Sequence, residues 1–184
     1  MNVKTPTSEK ELALIEKCII KTMRKFRETP KPFWSGDDIC CHLKQLLLKG
    51  RRFRSGRTGN VFLKFPTRNT YERREDGTLF QSAAGRSEYF PIAGWASHVP
   101  TTWSHLTQRL SFAIELKYFP VIPAGWGIQI RNSLLVLSDE ANEVPPRGRF
   151  FLLLTGEQTS SLRGELNAVL AGFPSVRCYQ QIVQ

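Results

Sequence analysis

Apolar residues recur along this chain at two spacings, and the change between them falls near residue 60. Leu12, Ile15, Ile19, Met23 and Phe26 lie three or four apart, the interval that gathers side chains on one face of a helix. Ser8-Glu9-Lys10-Glu11 ahead of them has the Ser-x-x-Glu form of a capping box, which predicts a helix over about 9 to 27. Cys18-Ile19-Ile20 also suits a strand, which leaves residues 17–25 open between the two. Thr29-Pro30-Lys31-Pro32 breaks the pattern, and Ser35-Gly36-Asp37-Asp38 opens a second helix with acidic residues at the positive end of its dipole. Ile39, Leu43, Leu46 and Leu47 form its apolar face, Lys44 and Lys49 sit off that stripe, and Gly50 ends it.

After residue 60 the period falls to two. Val61–Phe65 alternates and stops at Pro66, and residues 67–88 are polar and turn-rich, with Asp76-Gly77 as a hairpin turn. Tyr89-Phe90-Pro91-Ile92 is a short apolar piece. Phe112, Ile114, Leu116 and Tyr118 alternate with Ala113, Glu115 and Lys117, the pattern of a half-buried strand. Ile128–Ile130 and Leu134–Leu137 read as further β segments, and Glu143–Gly148 as a loop. Phe150–Leu154 is apolar on both faces and so predicts a central strand. Ser161 caps a helix that turns Leu162, Leu166, Val169 and Leu170 inward and stops at Gly172, and Val176–Val183 closes the chain as a strand. The expectation is an α+β fold, a mostly antiparallel twisted sheet with helices near the N-terminus and one near the C-terminus. Residues 1–7 read as a flexible N-terminus and residues 8–184 as a single domain.

Composition narrows the class. With 41% hydrophobic and 11% aromatic residues over 184 positions, the chain can bury one core and is not disordered throughout. No apolar run approaches the ~20 residues that span a bilayer. The first residues carry no apolar signal core, and Asn2 stands where myristoylation needs glycine, so a cytosolic chain is expected. Cys18, Cys40, Cys41 and Cys178 form no CxxC pair, and with His42, His98 and His105 they make no zinc spacing. Reduced thiols are expected.

Charge is distributed unevenly. Residues 1–64 hold 15 Lys and Arg against 6 Asp and Glu, a net of +9, while the remainder nets +1. Such a field attracts nucleic acid, acidic lipid or an acidic protein, and weakens with salt. Lys49, Arg51, Arg52, Arg54 and Arg57 form a glycine-punctuated basic loop around Phe53, whose ring either stacks on a base, dips into a lipid interface or anchors the loop on the core. Trp95, Val99, Pro100 and Trp103 make a second segment, either packed inward or exposed as an interaction patch.

One motif points to catalysis. Glu115-x-Lys117 on a strand is half of the metal site of restriction-endonuclease-like nucleases, where the carboxylate binds magnesium and the lysine orients the attacking water. That site needs another carboxylate upstream, and Glu88 and Asp76 are the donors available. The competing reading is a lateral ion pair on an ordinary strand face. Arg57-Thr58-Gly59 lacks the spacing of a phosphate-cradling loop, and near His98 and His105, which flank Trp103, no Ser or Cys stands in a nucleophile-elbow context.

Three collinear pieces resemble the matrix proteins of rhabdoviruses, of vesiculovirus type, over roughly residues 17–119. They are Pro32-Phe33 with Asp38, a helix and a basic glycine-containing stretch up to Phe65; Ala84-Gly85-Arg86 with Tyr89-Phe90-Pro91; and Val99-Pro100-x-x-Trp103 followed by the strand Ala113–Leu116. The resemblance implies a non-enzymatic, self-associating structural protein of virion assembly and budding. Its partners would be acidic membrane surface, viral nucleoprotein–RNA, further copies of itself and host proteins. It would be found in the virion and host cytoplasm at the inner face of the membrane, or in the host nucleus. It implies membrane or nucleic-acid contacts through Lys44, Lys49, Arg51, Arg52, Phe53, Arg54 and Arg57, and self-association or membrane contact through Trp95, Val99, Pro100 and Trp103. No catalytic residue, metal or cofactor is assigned on this reading. It also implies a strand near residues 17–25, and this chain lacks the Pro-Pro-x-Tyr and Pro-Thr/Ser-Ala-Pro budding motifs. The alternatives are a metal-dependent nuclease using Glu115 and Lys117, and a basic nucleic-acid-binding regulator using residues 37–57.

Overall fold

Helix α1 (Glu9–Glu28) begins at the capping box: the Ser8 N–H donates to Glu11 Oε2 at 2.7 Å. Residues 17–25 are helical throughout, with Cys18, Ile19 and Thr22 buried. Burying an amphipathic face outweighs the strand preference of the Cys18-Ile19-Ile20 run. Helix α2 (Gly36–Lys49) starts at Ser35, whose Oγ accepts the Asp38 N–H at 3.2 Å. The structure, a computed structural model, describes residues 8–29, 35–50, 53–55, 58–95, 110–156 and 160–182. The flexible N-terminus expected over residues 1–7 lies outside them.

Strands β1 (Arg54–Ser55) and β2 (Thr58–Gly59) pair as a small ribbon. The main sheet has six strands: β3 (Val61–Arg73), β4 (Leu79–Gln81), β5 (Arg86–Gly94), β6 (Phe112–Phe119), β7 (Arg149–Thr155) and β8 (Arg177–Ile182). Their order is β4-β3-β5-β6-β7-β8. Strands β4, β3, β5 and β6 are antiparallel, while β6, β7 and β8 run parallel. Each parallel step needs a crossover, supplied by α3 (Trp126–Ser138) and α4 (Ser160–Ala171). The fold is α+β as expected.

Side chains alternate across the sheet. Phe112, Ile114, Leu116, Phe150, Leu152 and Leu154 pack with α1 and α2, whereas Ala113, Phe119, Phe151 and Leu153 pack with α3 and Leu166 of α4. The sheet is therefore covered by helices on both faces, which explains why β7 is buried along its whole length and apolar from Phe150 to Leu154.

Two sequence expectations need correction. Strand β3 does not stop at Pro66 but runs to Arg73, with the pairing to β5 shifting register between Pro66 and Thr70. An irregular stretch is where a strand tolerates a residue without an N–H. Residues 128–137, read as β, lie in α3. That helix is pressed between the sheet and α4, buries Ile130, Leu134, Val136 and Leu137 on more than one side, and so shows no clean helical period. The expected turn at Asp76-Gly77 is present: Gly77 has φ +86°, and Asp76 Oδ1 accepts the Thr78 N–H at 2.9 Å.

Candidate active site

Strands β5 and β6 pair only at Ile92–Ile114, Ala93–Ala113 and Gly94–Phe112. The next residue of β5 toward its start is Pro91, which has no N–H to extend the ladder, and the strands part there. A cleft of about 420 Å³ opens in this fork. Glu88, Tyr89 and Pro91 line one prong, and Glu115, Leu116 and Lys117 the other. Gln129, Asn132 and Ser133 of α3 form the roof, and Arg73 and Leu79 come from the β3–β4 hairpin.

Glu115 lies on the α3 side of β6 and is only 5% exposed. Its Oε1 accepts the Ser133 Oγ–H at 2.8 Å and lies 3.3 Å from Lys117 Nζ. Both of these contacts fall on one oxygen, Oε1. Burial pushes the Glu115 carboxyl up, Lys117 and Ser133 oppose that, and the charge of Glu88 adds to it; the net shift is upward. The two carboxylates thus sense one another in one cleft.

Glu88 is positioned by the irregular stretch of β3. The buried Thr67 hydroxyl accepts the Glu88 N–H at 3.0 Å, and its one proton lies between the Asn69 carbonyl oxygen at 2.8 Å and the Glu88 carbonyl oxygen at 3.1 Å. It replaces the ladder bonds lost at the register shift. The hairpin is tied to α3 by Asn132, whose Oδ1 accepts the Leu79 N–H and whose Nδ2 donates to the Gly77 carbonyl, both at 2.9 Å. Arg73 Nη1 donates to the same carbonyl at 3.0 Å, which holds its guanidinium at the cleft.

Of the two upstream carboxylates considered, Glu88 joins Glu115 and Lys117, while Asp76 stays in its turn, bonded to Thr78 and fully exposed. Ser133, Asn132, Arg73 and Thr67 carry no assignment from sequence, and Tyr89 enters there only through the apolar piece Tyr89–Ile92 and the family resemblance. A signal existed for two of them: Asn132-Ser133 end the polar stretch Arg131–Ser133, between Ile130 and the apolar run Leu134–Leu137.

The other predicted residues are placed as follows. Lys44 is half-buried and Lys49 exposed on α2. Phe53 does not face a ligand: it is fully buried and meets the Phe112 ring edge-on at 5.4 Å, so it anchors the basic loop on the core. Trp95 is likewise interior, edge-on to Phe62 at 5.3 Å and Phe65 at 5.5 Å, because apolar neighbours are available to it on the sheet. Arg54 belongs to β1, paired with Gly59. Arg51, Arg52, Arg57, Val99, Pro100 and Trp103 lie outside the described residues. Cys18 and Cys40 are buried, Cys178 half-buried and Cys41 exposed, all unbridged.

No family model, no curated protein and no solved structure matches the chain. The site has to be read from its own chemistry.

The donor set suits one kind of cation. Among the described residues no three His, Cys, Asp or Glu side chains cluster, so there is no all-protein cage for zinc or calcium. Two carboxylates in an open cleft fit magnesium, which uses one or two carboxylates and retains water and phosphate ligands.

Proposed function

We propose that this protein is a magnesium-dependent nuclease acting through Glu88, Glu115 and Lys117. The observation that carries the reading is the fork between β5 and β6, which delivers a second carboxylate, Glu88, to the cleft that holds Glu115 and Lys117. That is the upstream partner without which a Glu-x-Lys strand is only a lateral ion pair. Glu88 and Glu115 would hold the cation, which when bound supplies charge neutralisation at the phosphate and an acidified water. Lys117 keeps its ammonium beside Glu115 while its side chain remains 28% exposed, so it can orient a water at the cleft and offset developing negative charge. Arg73 gives the phosphate a fixed guanidinium partner. Ser133 orients the Glu115 carboxylate through its hydrogen bond to Oε1.

The test is direct. Incubated with end-labelled DNA or RNA, the protein cleaves in magnesium and not in EDTA, and Glu115→Gln, Glu88→Gln and Lys117→Met each lose at least about 100-fold in rate. Circular dichroism of each variant confirms folding. A wild type that cuts no nucleic acid, or a folded Glu115→Gln that cuts equally fast, refutes the reading.

The matrix-type reading has one observation in its favour. Lys10, Lys17, Lys21 and Arg24 are exposed at spacings that align them along α1, with Ile20, 49% exposed, beside them. A basic stripe with an apolar residue suits an acidic membrane surface, at about 1 kcal/mol per Lys or Arg. Against it, α1 occupies the region where the resemblance implies a strand, and Phe53 and Trp95 are interior. Sedimentation with phosphatidylserine vesicles at low and high salt decides: binding lost on Lys17→Ala/Lys21→Ala/Arg24→Ala supports it, and no binding at low salt ends it.

A further inference from the structure

Asn142 accepts from the backbone of the irregular β3 stretch that stands opposite Glu88. We infer that Asn142 is a positioning residue for Glu88, acting through the backbone of residues 67–69. The inference rests on the nuclease reading for what Glu88 does, and adds the residue that sets where Glu88 stands.

The ladder shows where support is needed. Pro66 pairs with Tyr89 and Thr70 with Ser87, so residues 67–69 all face the single residue Glu88. An insertion of this kind interrupts the pairing and re-aims the strand, and its backbone groups must find other partners. Glu88 gives its N–H to the Thr67 hydroxyl at 3.0 Å. The Arg68 and Asn69 N–H groups both go to Asn142 Oδ1, at 2.9 and 3.2 Å. One side-chain oxygen thus takes the place of a ladder at the point where Glu88 is held.

Asn142 is itself fixed in orientation. It is 1% exposed, and its Nδ2 donates to the Val136 carbonyl at 2.9 Å and to Tyr71 Oη at 2.8 Å. Tyr71 Oη donates its own proton to Asp139 Oδ2, so it meets Asn142 as an acceptor. An amide turned end for end would set its NH2 against the Arg68 and Asn69 N–H groups, and its oxygen against the Val136 carbonyl. Only one orientation satisfies every partner.

Placement along the chain adds a second argument. Asn142 closes a short 3-10 turn (Glu140–Asn142) that follows α3 directly, and α3 carries Ser133. Residues 126–142 therefore touch both halves of the site: Ser133 bonds the Glu115 carboxylate, and Asn142 braces the stretch that holds Glu88. The two strands have ceased to pair where the carboxylates stand, so their ladder does not set the separation. The α3 segment does. Magnesium demands near-ideal geometry, and a misplacement of about 1 Å at such a site costs on the order of 100-fold in rate.

The experiment uses the full chain. It reads magnesium affinity by calorimetry, kcat and KM on an end-labelled oligonucleotide, and amide exchange of Glu88 relative to the β7 amides by NMR. Asn142→Ala weakens magnesium binding by about 10–100-fold, the loss seen for outer partners of a metal ligand. It lowers kcat while the oligonucleotide KM stays within about twofold, and the Glu88 amide exchanges faster relative to β7. Asn142→Asp keeps an acceptor for both N–H groups but loses the donor to Val136; it costs stability, yet magnesium affinity stays within about threefold of wild type. Thr67→Val breaks the next link and weakens magnesium binding likewise, and Thr67→Ser, which keeps the hydroxyl, restores it. Thr67→Val adds little to Asn142→Ala, because the two act on one path. Leu47→Ala is the control: it empties a buried site on the α1–α2 side and lowers Tm without changing magnesium affinity.

A folded Asn142→Ala with wild-type magnesium affinity and Glu88 exchange overturns the inference and leaves the nuclease reading standing. So does a loss no larger than that of Leu47→Ala, or a Thr67→Val that binds magnesium as wild type does. Faster Glu88 exchange in Asn142→Ala, with a wild type that neither binds magnesium nor cuts, removes the nuclease reading and keeps Asn142 as the brace of Glu88.

Discussion

Ser133 Oγ donates to Glu115 Oε1 across 2.8 Å, joining α3 to the middle of β6 through two buried side chains of the cleft. Ser133→Ala removes a donor to the carboxylate and lets burial push that group still higher. The rising limb of the pH–rate profile moves to higher pH, and magnesium affinity falls by about 10–100-fold, as for other partners of a metal ligand. Ser133→Thr, which keeps the hydroxyl, returns the limb toward the wild-type position. An unshifted limb in Ser133→Ala would show that the hydroxyl does not act on Glu115.

Glu115 opposes folding where it is ionised. Its folded-state carboxyl is shifted upward by burial, so the stability it permits is complete below the unfolded value and is lost as pH rises through the folded one. Glu115→Gln keeps the shape and an acceptor for Ser133. In metal-free buffer at neutral pH it raises Tm by about 2–4 °C, the effect of ~1 kcal/mol in a chain of this size, while abolishing cleavage. Differential scanning calorimetry checks this, and a lowered Tm would contradict the stated cost of burying that charge.

Asp139 behaves in the opposite sense. Its Oδ2 accepts from Tyr71 Oη at 2.5 Å, Gln81 Nε2 at 2.6 Å and Asn69 Nδ2 at 2.7 Å, and its Oδ1 from the Ala141 N–H at 3.0 Å. Burial works to raise the group, but these bonds outweigh it and hold Asp139 below its usual range. Its stabilisation is present above the unfolded value, near ~3.9, and is lost as pH falls through the folded one. Asp139→Asn therefore costs stability at pH 7, and the gap to wild type closes below about pH 4. Urea unfolding across that window measures it, and a gap independent of pH would exclude the carboxylate as its source.

Phe53 separates a core role from a binding role. Phe53→Ala removes a fully buried ring packed on Phe112 and destabilises the fold by about 3–5 kcal/mol. Nucleic-acid or vesicle binding, measured at a temperature where the variant is folded, stays within about twofold of wild type. A large binding loss with unchanged stability would restore the ligand-facing assignment.

Much of the fold can be read from local pattern. The capping box at Ser8, the Ser35 start of α2, the turn at Gly77 and the doubly apolar β7 depend on residues within a few positions of one another, so their chemistry is visible in a linear string. Helix α3 was not legible, because sheet and α4 both cover it and its apolar residues no longer keep to one side. Phe53 and Trp95 could not be assigned either, since a ring in a basic or turn-rich segment has the same sequence context whether it packs inward or outward.

The candidate site divides along the same line. Sequence alone determined the basic amino-terminal third, the Glu115-x-Lys117 pair on one strand face and the short set of carboxylates that could complete it. Only the tertiary structure selected Glu88 over Asp76 and placed Ser133 on the buried carboxylate. The reason is physical: period and spacing report on neighbours along one element, whereas a cleft is made where two strands cease to pair and a helix crosses over them, and those contacts join residues tens of positions apart.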